Sequence, residues 1–410
     1  MSGPPTSGNN LLSANHPRLP MPAAIEHTLD SEFYCHYKTV VFLVGNTLFR
    51  FKASVIAPDP EIEDYELKGY VGDVFKLSNN APCKTGSGNE TRVVLPADVT
   101  TQTFRDLLMF SSGGVTNTKL KQILYAVNHG HKEGYTPTLI YRLSKLGHLA
   151  SRFGMKTLDS WTQRKIQMML NKSISSLPDN AEWNTEIVLQ IVYHAQGTSS
   201  PNYQGKIIGC MTQIMCTMVC KAYDNPDRSK DLSEYTIIRI CAELYKDKSL
   251  STKSPDIFGF VFAVILSLGP HSPIWSNSLT REDRRILYAA NSILTCLHKH
   301  TDLDVGWLIE PSYIQGYIKD CSECSKHSNF YAWWGAGFGK CKGLNSRMPT
   351  EDICHIVRLL DYKDLLCKGS KGRQNCPKRC PERLVLYVLE HIQSSYCALA
   401  RKYKYFEETV

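Results

Sequence analysis

Apolar residues return every three or four positions through Leu139, Leu143, Leu146 and Ala150, and a helical period resumes through Leu158, Trp161, Ile166, Met169 and Leu170. That spacing predicts two consecutive amphipathic helices. Gly154 lies between them, where a helix C-terminus favours a residue that accepts positive φ, with Phe153 and Met155 as apolar flanks. Two short helices cannot bury their stripes on each other alone, so the residues ahead of them must complete a core.

Those residues have a different period. Val40–Val44 and Thr47–Phe51 read as strands, and Gly45-Asn46 between them is a two-residue hairpin signal. Ala53–Ala57 starts a short helix that Pro58 stops, and Tyr70–Leu77 hints at another. Arg92–Leu95 reads as a third strand closed by Pro96. Phe104, Leu107, Leu108 and Met109 then have helical spacing, with Thr100 or Thr101 as the N-cap. Leu120–Val127 is a weaker helical patch. Residues 1–30 hold five prolines among Ser, Asn and Gly, and read as a disordered tail.

Leu177-Pro178 marks a boundary, beyond which every periodic segment is helical. The predicted helices are Trp183–Ala195, Ile207–Ala222, Leu232–Tyr245, Ile257–Leu268, Arg281–His300, Glu351–Leu366 and Arg383–Tyr403. No internal repeat occurs, which excludes the common repeat arrays. The expected fold class is therefore an α+β N-terminal domain at 31–175, with short strands flanking a helical cluster, followed by an all-α C-terminal domain at 178–410.

The ordered set Glu32-Phe33-Tyr34, Val40–Val44, Leu48-Phe49-Arg50, Leu95–Thr100, Phe104, Leu107-Leu108 and Leu146–Leu158 resembles a BTB/POZ domain, and is most similar to the BTB-like proteins of mushroom-forming fungi. The resemblance covers residues 31–175. It implies a protein-interaction module that homodimerises and has no catalytic chemistry, followed by a helical region of unassigned role. Lys38-Thr39 stands where the family usually has an acidic residue, and Lys52-Ala53 where it has His and a basic residue. An acidic and a basic side chain usually face each other near the dimer seam, so losing both together bears on that contact. The segments 58–90 and 111–137 exceed the usual connections and would cover the surface on which a cullin-type partner docks.

Composition changes this picture little. A formal charge of +8 over 410 residues is too weak to demand nucleic acid or an acidic membrane surface. The N-terminus has no basic and apolar signal pattern, and the strongest apolar run, Ile257–Leu268, is too short to span a bilayer. The expected setting is intracellular, in cytoplasm or nucleus, with the 15 cysteines as reduced thiols. Cys210, Cys216 and Cys220 share a helix with Met211, Met215 and Met218, which reads as core packing.

The tail raises the one sharper alternative. Cys321-x2-Cys324 and Cys376-x3-Cys380 are thiol pairs with ligand-like spacing, and Lys368–Arg383 carries six basic residues and one acid. Together they define a zinc-stabilised, nucleic-acid-binding regulator as the second reading. The 51 intervening residues and the missing aromatics weigh against it. No H-E-x-x-H or G-x-S-x-G occurs, and Gly335–Lys340 lacks the phosphate-loop spacing. His129 with His131, and His298 with His300, have no acid or nucleophile placed to form a triad. The expected protein is a non-enzymatic protein-protein interaction adaptor or scaffold. It has protein partners, and no catalytic, cofactor-binding or metal residues are assigned.

Overall fold

A computed structural model describes residues 27–34, 40–76, 88–112, 118–129, 135–198, 200–225, 231–294, 297, 300, 302–303, 353–361 and 380–409. These are mostly helical, with a small mixed four-stranded sheet near the N-terminus, an α+β layout. The expected tail up to residue 26 lies outside the described residues.

The sheet runs in the order β1–β3–β2–β4, where β1 is Thr28–Tyr34, β2 Val40–Val44, β3 Thr47–Phe51 and β4 Val93–Val94. β2 and β3 form the antiparallel hairpin predicted from Gly45-Asn46, with Phe42 opposite Phe49 and Leu43 opposite Leu48. Gly45 supplies the positive φ of the turn, at 59°. β1 and β4 are added in parallel, on β3 and β2 respectively. β1 starts at Thr28, so the boundary read at Ser31 falls inside a strand. Its buried Asp30 accepts from Arg105 Nη2 at 2.7 Å and from the backbone of Glu32 and Phe33. A strand whose inward side chain is a paired acid leaves no apolar alternation to read.

Because side chains alternate across the pleat, β2 and β3 send Phe42, Val44, Phe49 and Phe51 inward. There they meet Phe104 of helix α2 (Thr101–Ser111). The Phe49 and Phe104 rings stand edge to face at 5.0 Å, and Phe104 also reaches Phe153 at 6.2 Å. Of the two caps the sequence offers, Thr100 is the one used: it accepts from the Thr103 amide. Thr101 Oγ1 donates to the Val44 carbonyl, which ties the helix start to the strand end. Helix α1 (Lys68–Lys76) and the 3₁₀ turn Ala53–Ile56 close one flank, and α3 (Thr118–His129) contributes Val127 to the same core.

Helices α4 (Pro137–Arg152) and α5 (Lys156–Ser173) are the predicted pair. Thr136 caps α4 at Leu139, and Pro137 occupies the first helical position, where a missing N–H costs nothing. At its other end the Gly154 amide donates to the Ser151 carbonyl and the Met155 amide to Ala150, a Schellman motif with Gly154 at φ 72°.

The second half consists of α6 (Thr185–Gln196), α7 (Pro201–Tyr223), α8 (Thr236–Lys246), a short turn α9 (Leu250–Lys253), α10 (Pro255–Ser267), α11 (Arg281–Leu294), α12 (Ile353–Val357) and α13 (Cys380–Thr409). α6 packs on α4, and α7 packs on α5. One continuous apolar core therefore runs from Phe42 through Leu146 and Ile191 to Phe262 and Tyr403. α10 lies at the centre of the helical half, with every residue from Ile257 to Leu266 buried. No helix of the described residues is long and apolar enough to cross a membrane.

Candidate functional site

The face of the sheet turned away from the core carries a second, separate apolar cluster of Val41, Leu43 and Leu48, with Tyr34 packed against it. Strand register places four apolar residues in one row across all four strands: Leu29 beside Leu48, Leu48 beside Leu43, and Leu43 beside Val94. The two central members are buried. The two outer members, on the edge strands β1 and β4, are 56% and 55% exposed. Next to this row, Arg50 lies over the Tyr34 ring at 5.2 Å. Among the described residues β1 pairs only with β3 and β4 only with β2.

A second feature sits where α4 and α5 meet α6. There α4 contributes His148, Ser151 and Arg152, α5 contributes Asp159, and the end of α6 contributes His194 with Gly197 and Thr198 just beyond it. With Glu66 they line a cavity of about 240 Å³. Arg152 Nε donates to Glu66 at 2.8 Å and its Nη1 to Asp98 at 2.6 Å, so the guanidinium is held by two carboxylates.

The remaining polar groups are less satisfied. Asp159 accepts from Gln163 Nε2 at 2.8 Å through one oxygen, while the buried Oδ1 has no partner among the described residues. His194 is 3% exposed, and its Nε2 is likewise unpartnered. Burial pushes the Asp159 carboxyl up to about 6, against the pull of Gln163. Burial, with the neighbouring His148, holds the His194 imidazole down to about 3. Burial also lowers His148, and the Arg152 charge adds to it. Both rings are therefore neutral at neutral pH.

The close approach of the helices depends on Gly147. A Cβ there would stand 2.7 Å from His194 Cε1 and overlap the Thr162 hydroxyl. Tyr203 of α7 stacks edge-on against the His194 ring at 6.1 Å.

None of these cavity residues stands out in the sequence, because His148, Asp159 and His194 belong to three different helices. The thiols that do stand out are placed differently. Cys210, Cys216 and Cys220 are buried in the core along α7, where Cys216 Sγ donates to the Val357 carbonyl at 3.1 Å and burial raises its pKa. Cys321, Cys324 and Cys376 lie outside the described residues, as do most of Lys368–Arg383, Gly335–Lys340, His131 and His298. Cys380 is the first residue of α13. Among the described residues no three His, Cys, Asp or Glu side chains are grouped to hold a metal ion. Comparison with family models, with curated proteins and with solved structures finds no match for this chain.

Proposed function

We propose that the chain is a non-enzymatic protein-protein interaction adaptor or scaffold of BTB/POZ type, and that the first partner of its sheet is a second copy of itself. The row Leu29–Leu48–Leu43–Val94 carries this reading. Its two ends put large apolar side chains into solvent on both edge strands of a sheet, the arrangement that invites pairing with another polypeptide. A second copy would bury these ends, and the residues between them already form an apolar floor. Self-association and the α+β layout are what the BTB/POZ resemblance implies.

The test is light scattering on the full chain at rising concentration, for the parent and for a Leu29→Glu/Val94→Glu double variant. The expected parent mass approaches twice 46.3 kDa, and the variant remains a monomer with an unchanged circular dichroism spectrum. A parent that stays monomeric at every concentration, or a variant that assembles like the parent, overturns the proposal.

A further inference from the structure

We propose that the outer face of the sheet docks an acidic peptide segment of a partner protein, one whose carboxylates alternate with apolar side chains about 7 Å away. This rests on the adaptor reading only for the point that the face meets protein, and it names the chemistry of a partner other than a second copy.

The apolar row Leu29–Leu48–Leu43–Val94 has a basic row beside it. Arg50 follows Leu48 by two residues on β3, and Arg92 precedes Val94 by two residues, just ahead of β4. Alternation across the pleat puts both arginines on the outer face, about 7 Å from the apolar row. One tyrosine ties them together. Tyr34 packs on the cluster of Val41, Leu43 and Leu48, its ring carries the Arg50 guanidinium at 5.2 Å, and its hydroxyl donates to Asn89 Oδ1 at 2.9 Å. The carbonyl of the same Asn89 accepts from Arg92 Nη1, also at 2.9 Å.

Neither arginine has an acid. Among the described residues the Arg50 guanidinium makes no ion pair and no hydrogen bond, and that of Arg92 bonds only the Asn89 carbonyl. Glu32 on β1 and Glu90 beside Asn89 pair with neither. The stretches of chain that join onto this end of the sheet, 35–39 and 77–87, contain Lys38 and Lys84 and no Asp or Glu. Both arginines are half-buried with Nε shut off from water, while the terminal nitrogens not already bonded stay open to solvent. Two guanidinium groups so placed are not neutralised by their own surroundings, and they offer N–H groups to an oxyanion from outside.

The neighbouring row decides which anion. Phosphate or nucleic acid would meet the arginines but leave Leu29 and Val94 in water. A second copy would cover the apolar ends, yet it brings the same two guanidinium groups instead of acids. An extended segment with apolar and acidic side chains at alternate positions of one face meets both rows at once, because its own i, i+2 spacing is also about 7 Å.

Both partners use Val94, so binding is measured on the full chain diluted until light scattering gives the mass of one copy. The probe is a fluorescein-labelled peptide of three Leu-Ser-Glu-Ser repeats, read by fluorescence anisotropy. Matched peptides carry Gln or Lys in place of Glu, or Ser in place of Leu. The expected result is saturable binding of the first peptide alone, weakening as salt is added. Arg50→Gln and Arg92→Gln each lower the affinity about fivefold, and Arg50→Lys keeps most of it. An Arg50→Glu/Arg92→Glu variant transfers binding to the lysine peptide, which a merely structural role would not do. Absence of saturable binding, equal binding of the glutamine or serine peptide, full affinity in a folded Arg50→Gln/Arg92→Gln variant, or displacement by inorganic phosphate at constant ionic strength would each overturn the proposal. A chain that binds the peptide as expected but never dimerises supports it, and overturns self-association alone.

Discussion

Gly259 of α10 lies directly against the backbone of Tyr396 on α13: a Cβ at position 259 would overlap the Tyr396 carbonyl oxygen and stand 2.6 Å from its carbon. The two helices form the most extensive contact among the described elements, and this crossing point sets their spacing. Around it Phe260 meets the Tyr396 ring edge to face at 5.6 Å, and Phe258 meets Tyr403 at 4.8 Å. Alanine is the better helix former by about 1 kcal/mol, so propensity alone would favour Gly259→Ala. Backbone against backbone cannot be relieved by a rotamer change, and overpacking of this kind costs about 3 kcal/mol. The net expectation is a loss of about 2 kcal/mol, visible as a lower urea midpoint. A midpoint equal to the parent's would show the helices to be further apart than described.

Gly154 and Gly269 separate two effects that usually come together. Both have positive φ, 72° and 74°. A Cβ at Gly154 would stand 3.1 Å from each of Ile62, Pro58 and Tyr65, whereas nothing lies within 4 Å at Gly269. Gly269→Ala should therefore cost only the backbone term, about 1 kcal/mol. Gly154→Ala adds the displacement of three side chains and should cost about 2–3 kcal/mol. Thermal unfolding of the two variants in parallel measures the difference. Equal losses would show that the loop containing Ile62 and Tyr65 yields freely.

The contrast between these elements and others explains what the sequence could and could not disclose. The hairpin, the Thr100 cap, Gly154 and the α4–α5 pair were readable because each depends on residues within one turn or one strand of each other. β1 was not: its key inward residue is an acid matched by an arginine 75 positions away. β4 is only two residues long, yet it lies inside the strand read at Arg92–Leu95, because Pro96 marks where it closes. α11 is described to Leu294, and of the predicted stretch up to His300 the described Leu297 and His300 are not α-helical. The cavity was invisible for the same reason as β1. His148, Asp159 and His194 make no pattern until α4, α5 and α6 are packed, and the cysteine spacing that did look like a site lies mostly outside the described residues.

Lys248 shows how a charge can serve as a packing element. Its Nζ stands 3.5 Å from the centre of the Tyr245 ring and 2.8 Å from Asp283 Oδ1, joining the end of α8 to the start of α11. Asp283 also accepts from the amide and hydroxyl of Thr280. Burial pulls the Lys248 pKa down, and the Asp283 carboxylate only partly restores it. Lys248→Met removes the cation but leaves Asp283 its Thr280 donors, so the expected loss is about 2 kcal/mol, below that of a fully stranded buried charge. Asp283→Asn in the Lys248→Met background should then cost less than it does alone. A double-mutant cycle reads this directly, and strictly additive losses would show the pair to be uncoupled.

Asp159 and His194 make opposite contributions to the pH dependence of stability. The His194 pKa is about 3 in the folded chain against an ordinary 6.5, so between these values the unfolded chain binds the extra proton and acid weakens the fold. The Asp159 pKa is about 6 against an ordinary 3.8, so between these values the folded chain binds the extra proton and acid strengthens the fold. Across their shared window, from about pH 4 to 6, the two slopes nearly cancel. Asp159→Asn removes the second and leaves the first. Relative to the parent, the variant should gain stability as pH rises from about 4 to 6 and keep that gain above 6. Allowing for solvent screening of the partly exposed carboxyl, the gain is about 2 kcal/mol. His194→Gln should do the reverse, gaining on the parent as pH falls below about 6.5. Urea unfolding of the parent and both variants at a series of pH values checks this. Parallel pH curves for parent and Asp159→Asn would mean that the carboxyl titrates normally and that the cavity is open to water.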